Sequence, residues 1–166
     1  MTKSAIFLDR DGVINKNRDD YVKNVSELEI FSFISNPIKK LKELGFQIIV
    51  ITNQSAINRG LTSHRNVKEI HDSINDFLKK NDTSIDYFYY CPHSPHENCL
   101  CRKPKPGLLF QAANELDIDL HSSWMIGDRD SDIIAGESVG CKTIKIKSDM
   151  TLEDAVKILM ESDTQI

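Results

Sequence analysis

Two aspartates one residue apart, Asp9 and Asp11, directly follow the apolar run from Ala5 to Leu8 and precede Gly12. On an extended chain, residues two apart point to the same side. If strand geometry continues past Leu8, the two carboxylates therefore share one small volume. Such a pair repels and calls for a cation or a shared proton. The same residues also suit a strand that ends in a polar turn, where Asp and Gly are common; taken alone, the stretch allows both.

A second cluster is compact in sequence. Residues 91–101 read C-x-H-x5-C-x-C, with Cys91, His93, Cys99 and Cys101. Three thiolates and one imidazole form a closed tetrahedral zinc set, with no open position for catalysis. His96 is an alternative fourth ligand. A free-thiol loop or a redox pair leaves His93 without a role. The zinc expected here is structural: it orders a loop poor in apolar residues and so aims Arg102 and Lys103. Cys141 lies in an apolar-alternating run and is expected to be a small core residue.

The elements that must position these groups alternate. After the strand from Ala5 to Leu8, the segment from Lys16 to Ser26 is polar and irregular, with Asp19, Asp20 and Tyr21 at its centre. Loops of this length are often functional. Asn36-Pro37 reads as the cap and first position of a helix closed by Gly45. Phe46 to Ile51 is a β-branched run suited to a strand buried on both faces, ending at Thr52-Asn53-Gln54-Ser55. Gly60-Leu61-Thr62 leads into a long helix with Val67, Ile70, Ile74, Phe77 and Leu78 at helical spacing. A strand from about Ile85 to Tyr90 enters the cysteine loop, and Pro106-Gly107 opens a helix through about Leu116. Ser123 to Ile126 is a strand ending at Gly127-Asp128. A helix from about Ser131 to Val139, a strand from about Lys142 to Ile146 and a helix from about Leu152 to Met160 complete the chain.

This alternation predicts a doubly wound, Rossmann-like α/β fold with a parallel sheet. Right-handed crossovers bring the strand C-termini to one edge, where ligands bind. Asp9, Asp11, Thr52, Asn53, Lys103, Asp128 and Asp132 then converge on one crevice. Several carboxylates with one lysine and a hydroxyl suit a hard cation and an anionic substrate, and magnesium is the natural cation. Any one of these residues has a plainer explanation: Thr52 a strand end, Lys103 a solvated charge, Asp128 and Asp132 acids at a helix start. Their joint appearance at strand ends in order favours the chemical reading.

The 166 residues predict one domain over 1–166. With 40% hydrophobic and 28% charged residues the composition is ordinary for a globular chain, and a net charge of −4 gives no support for nucleic acid or an anionic membrane. No apolar stretch is long enough to span a bilayer, and Asp9 and Arg10 interrupt any signal-peptide core. A cytoplasmic monomer acting on a small anionic metabolite is expected. No repeat, low-complexity segment or linker is found.

The segments Asp9-Arg10-Asp11-Gly12-Val13, Thr52-Asn53, Lys103 and Gly127-Asp128-Arg129-Asp130-Ser131-Asp132 resemble, in order, the motifs of the haloacid dehalogenase superfamily of phosphotransferases. The resemblance implies that Asp9 attacks phosphorus to form an aspartyl-phosphate. It implies that Asp11 protonates the leaving oxygen and then activates water, and that Thr52 and Lys103 bind the phosphoryl group. Asp9, Asp128 and the Asp11 backbone carbonyl would hold magnesium, with Asp132 supporting the site. Val13 replaces a threonine often found there, and Arg129 stands where a lysine is common.

The zinc loop followed by Arg102-Lys103-Pro104 resembles the branch containing heptose-1,7-bisphosphate phosphatases and histidinol-phosphate phosphatases, whose spacing favours His93 over His96. Residues 53–60 and 103–107 are more similar to the heptose enzymes, while the short zinc loop is closer in length to the histidinol-phosphate enzymes. The resemblance implies removal of the 7-phosphate from a heptose 1,7-bisphosphate in nucleotide-heptose synthesis, with histidinol phosphate as the alternative substrate. Asn53, Gln54, Ser55, Arg59, Arg102, Lys103, Arg129, Asp19, Asp20 and Tyr21 are the candidate phosphate and substrate contacts; Arg59 and Arg129 are otherwise surface charges. No separate cap domain is expected, since the longest intervening segments are loops. The non-enzyme rivals are a receiver-like domain that keeps its phosphoaspartate and a zinc-scaffold interaction module.

Overall fold

β-branched and aromatic runs punctuated by glycine and polar residues organise the chain into five strands and five helices, described over residues 2–163 in a computed structural model. In chain order these are β1 (Ala5–Leu8), α1 (Ser35–Glu43), β2 (Gln47–Asn53), α2 (His64–Lys79), β3 (Tyr87–Cys91), α3 (Gly107–Leu116), β4 (Trp124–Gly127), α4 (Asp130–Ser138), β5 (Lys142–Lys145) and α5 (Leu152–Asp163). Short 3-10 turns lie at Val25–Glu27 and Pro95–Glu97. The strands form one parallel sheet in the order β3-β2-β1-β4-β5. Central β1 pairs with β2 (Leu8 beside Val50) and with β4 (Leu8 beside Ile126). The expected doubly wound Rossmann-like sheet is present, and no separate cap domain occurs among the described residues.

Alternation along the strands divides the core into two layers. Ile6, Leu8, Ile48, Val50, Ile126 and Ile144 pack with residues of α1, α2 and α5. Phe7, Ile49, Ile51 and Met125 pack with α3 and α4. Phe7 and Ile49 are fully buried, and a buried side chain of this kind stabilises by roughly 1.5–3 kcal/mol. The same alternation decides where the first acid goes: Asp9, two residues past Phe7, falls on the α3/α4 side.

Two boundaries differ from the sequence expectation for a visible reason. Helix α1 begins at Ser35, after Ile34, so Asn36 and Pro37 both lie in its first turn; proline is tolerated there because that N–H lacks a helical partner anyway. Its end is as expected. Gly45 has φ +89°, and Gly45 N and Phe46 N donate to the Lys42 and Leu41 carbonyls, the left-handed cap that glycine favours. Strand β3 starts at Tyr87 because Ile85 spends both backbone groups on the Asn75 side chain, at 2.8 and 3.0 Å.

Candidate active site

Strand β1 ends at Leu8, and the chain turns at once: Ile14 N donates to Arg10 O and Gly12 N to Asn15 O. Asp9 and Asp11 therefore face one cleft with separate sets of partners. Lys103, just before α3, brings its Nζ to 2.9 Å from Asp9 Oδ1 and 2.6 Å from Asp132 Oδ1 on α4, and donates to Ile51 O at 2.7 Å. All three charged groups are buried. Burial pushes the Asp9 carboxyl up against the opposing pull of Lys103. Burial alone lowers an ammonium's pKa, but Asp9 and Asp132 outweigh it, so Lys103 stays charged.

The Asp11 carboxylate receives Arg10 Nη2 at 2.9 and 3.1 Å, Asn15 Nδ2 at 2.9 Å and Gln54 Nε2 at 2.9 Å. Burial alone would raise its pKa; the Arg10 charge and these hydrogen bonds outweigh burial and hold it below the usual range. Gln54 Nε2 also donates to the buried Thr52 hydroxyl at 2.9 Å. Asn53 and Lys103 exchange side-chain and backbone hydrogen bonds, both 3.1 Å, which fixes the Lys103 backbone against the end of β2.

Asp9, Asp128 and Asp132 each offer a carboxylate oxygen within 4.8 Å of the others. Asp128 Oδ1 is buried with no hydrogen-bond partner, and burial raises its pKa, reinforced by the Asp132 charge. Gly12, at φ +88°, leaves the space: a Cβ there would lie 2.2 Å from Asp128 Oδ2. These hard oxygens and the orphaned atom fit a divalent cation such as magnesium. The Asp11 side chain is outside this set.

The cysteine loop brings Cys91, His93, Cys99 and Cys101 within 4.8 Å of one another, with contacts of 3.1–3.6 Å. The soft donor set fits zinc. His96 sits exposed on the 3-10 turn and is not part of the cluster. Arg102 Nη1 donates to His93 O at 3.2 Å. Asn58, in the loop after β2, donates to Glu97 at 2.8 Å, and Glu97 in turn accepts from the Ser94 N–H and hydroxyl.

A cleft of about 560 Å³ opens over Asp9 and Asp11. Arg18, Arg59, Arg102 and Arg129 all line it, as do Asp19 and Tyr21. Asp20 does not: its carboxylate is taken by Arg18 at 3.1 Å and Lys23 at 2.8 Å. Sequence reasoning gave no role to Arg10, Asn15 and His71. For His71 a signal existed, a titratable residue beside Ile70 on the apolar face of the long helix.

The chain resembles known proteins in both sequence and structure. The HAD-hydrolase-like family model matches residues 100–164. The D-glycero-beta-D-manno-heptose-1,7-bisphosphate 7-phosphatase of Helicobacter pylori strain J99 is 41% identical over 152 residues, 91% of this chain and 84% of its own length. The D-glycero-alpha-D-manno-heptose-1,7-bisphosphate 7-phosphatase of Photorhabdus laumondii is 40% identical over 141 residues, covering 81% of this chain and 76% of its own. Among solved structures, the D,D-heptose 1,7-bisphosphate phosphatase of B. bronchiseptica, complexed with magnesium and phosphate, superimposes with a TM-score of 0.88 at 28% identity, covering 96% of this chain and 99% of that one. The chain therefore belongs to the haloacid-dehalogenase-like hydrolases and, within them, to the family of the heptose-1,7-bisphosphate 7-phosphatases. No helix among the described residues is long and apolar enough to cross a membrane.

Proposed function

We propose that this chain is a magnesium-dependent phosphatase that removes the 7-phosphate from a D-glycero-D-manno-heptose 1,7-bisphosphate, acting as a one-domain monomer in the cytoplasm. The observation that carries the substrate class is the cleft: with Arg18 paired to Asp20, Arg59, Arg102 and Arg129 still share it with Asp9, more positive charge than one phosphate needs. A substrate that keeps a second phosphate uses the surplus. Histidinol phosphate carries a cationic amine, which the same arginines repel. Asp19 and Tyr21 offer polar atoms to sugar hydroxyls.

Asp9 is the nucleophile. Its carboxylate oxygen bonds to phosphorus as the bond from phosphorus to the sugar oxygen breaks, and that oxygen receives a proton from Asp11. The ionised Asp11 carboxylate must first take that proton from solvent, an uptake the nearby phosphate charge favours. Asp11 then takes a proton from water, the water oxygen bonds to phosphorus, and the bond to Asp9 breaks to release inorganic phosphate. Lys103 holds the charge of the transferring group, and Thr52, its oxygen already accepting from Gln54, donates its O–H to a phosphoryl oxygen. Asp9, Asp128 and the Asp11 backbone carbonyl would hold magnesium, with Asp132 supporting; when bound, the ion neutralises charge between carboxylate and phosphate. Zinc held by Cys91, His93, Cys99 and Cys101 would order the loop that carries Arg102 and Lys103, and a reducing compartment would keep those thiols available.

The test is kcat/KM measured side by side on both anomers of the heptose bisphosphate, on histidinol phosphate and on a simple sugar monophosphate. The bisphosphate should be preferred over the others by well over an order of magnitude. Preference for histidinol phosphate, or uniformly low rates, overturns the assignment.

A further inference from the structure

Behind Asp11 lies a buried pair that the mechanism above leaves unused. Arg10 is 1% exposed and His71 5%, and neither lines the cleft. Arg10 Nη2 contacts both Asp11 oxygens, while Arg10 Nη1 stands 3.4 Å from His71 Nε2. A guanidinium has only donors, so His71 Nε2 must be the accepting nitrogen, and the ring is neutral with its proton at Nδ1. Burial and the Arg10 charge favour this form, lowering the His71 pKa to about 3.

The ring itself is held from three directions. It projects from α2, stacks on Phe88 at a centroid distance of 4.3 Å and an interplanar angle of 12°, and meets the edge of Tyr90 at 5.9 Å. A rigid helix and strand β3 thus set one acceptor at a fixed point, and Arg10 is strung between that acceptor and Asp11. Arg10 Nε has no partner of its own, so the guanidinium plane is defined by its two terminal nitrogens alone. If either anchor is lost, the plane can rotate and carry Asp11 with it.

We infer that His71 is a positioning residue for Asp11, acting through Arg10 to hold the acid–base carboxylate in place. The inference rests on the phosphatase reading. In the alternative, His71 merely fills the core beneath β3, and its imidazole nitrogens are incidental.

Three variants separate these. Glutamine places an amide oxygen near the position of Nε2 and keeps the acceptor. Asparagine, one carbon shorter, does not reach it. Leucine fills comparable space without one. With heptose 1,7-bisphosphate and saturating magnesium, His71→Leu and His71→Asn should each lower kcat about tenfold, part of the roughly 10² to 10⁴ supplied by a general acid–base group. KM should stay within about twofold, and His71→Gln should recover most of kcat. In an Asp11→Asn background, His71→Leu should cause no further loss, because groups acting as one unit are not additive. Multiplicative losses in that background, or a glutamine variant as slow as leucine, would overturn the inference. Should leucine prevent folding, the asparagine and glutamine pair still decides it. An inactive native enzyme instead overturns the phosphatase reading, so the two failures are distinct.

Discussion

Lys103 Nζ stands 2.9 Å from Asp9 Oδ1, although the two residues are 94 positions apart. The same nitrogen lies 2.6 Å from Asp132, so one buried cation is shared by two buried carboxylates. Lys103→Met leaves those carboxylates uncompensated. Truncating one partner of a buried charge pair costs about 3–5 kcal/mol. Thermal melting without added metal should show a large loss, and magnesium should restore more stability to the variant than to the native protein. Equal magnesium responses would show that the three groups do not share one charge balance.

The contact between Asn58 and Glu97, at 2.8 Å, ties the loop bearing Arg59 to the cysteine loop. Metal analysis should find about one zinc per chain, as a closed four-ligand site requires. Cys99→Ser should lose that zinc and lower the melting temperature. Because Arg59 and Arg102 then lose their support, KM for the bisphosphate should rise more than KM for a monophosphate. Full zinc content and an unchanged melting temperature in Cys99→Ser would contradict the site.

Arg59 is exposed, and its Nε donates to Ser55 Oγ at 3.4 Å. Arg59→Ala should leave stability within about 0.5 kcal/mol and reduce kcat/KM on the bisphosphate much more than on a monophosphate. Equal losses on the two substrates would remove the charge argument.

Much of this was legible in the chain because it is local. Alternating β-branched runs and helical periodicity predict the five strands, and parallel topology then brings Asp9, Thr52, Lys103 and Asp128 to one edge. The four zinc-type ligands lie within eleven residues and needed no tertiary information. What was not legible depends on distant packing. Arg10 follows a strand whose end could not be fixed from sequence, and only the turn after Leu8 brings it against His71, 61 residues away. Asp20, in turn, looked equivalent to Asp19 until Arg18 and Lys23 were seen to occupy it.

His71 also predicts a dependence of stability on pH. Its pKa is about 3 in the folded chain, lowered chiefly by burial, against an ordinary value of 6.5. Between these values the unfolded chain binds the extra proton. The stabilisation is therefore complete above about pH 6.5 and is lost as pH falls toward 3, at about 1.4 kcal/mol per pH unit. Urea unfolding of native protein and His71→Gln, compared from about pH 7 to pH 5, should show the steeper fall in the native protein. Parallel curves would mean that the ring is already protonated or solvated in the folded state.

The central claim is that Asp9 and the arginine-lined cleft together direct hydrolysis to one end of a bisphosphate. Phosphorus NMR of heptose 1,7-bisphosphate incubated with the enzyme and magnesium reads this directly. The account predicts that the 7-phosphate signal is replaced by inorganic phosphate while the anomeric phosphate persists, and that Asp9→Asn leaves both signals intact. Loss of the anomeric phosphate first, or turnover by Asp9→Asn at the native rate, would contradict it.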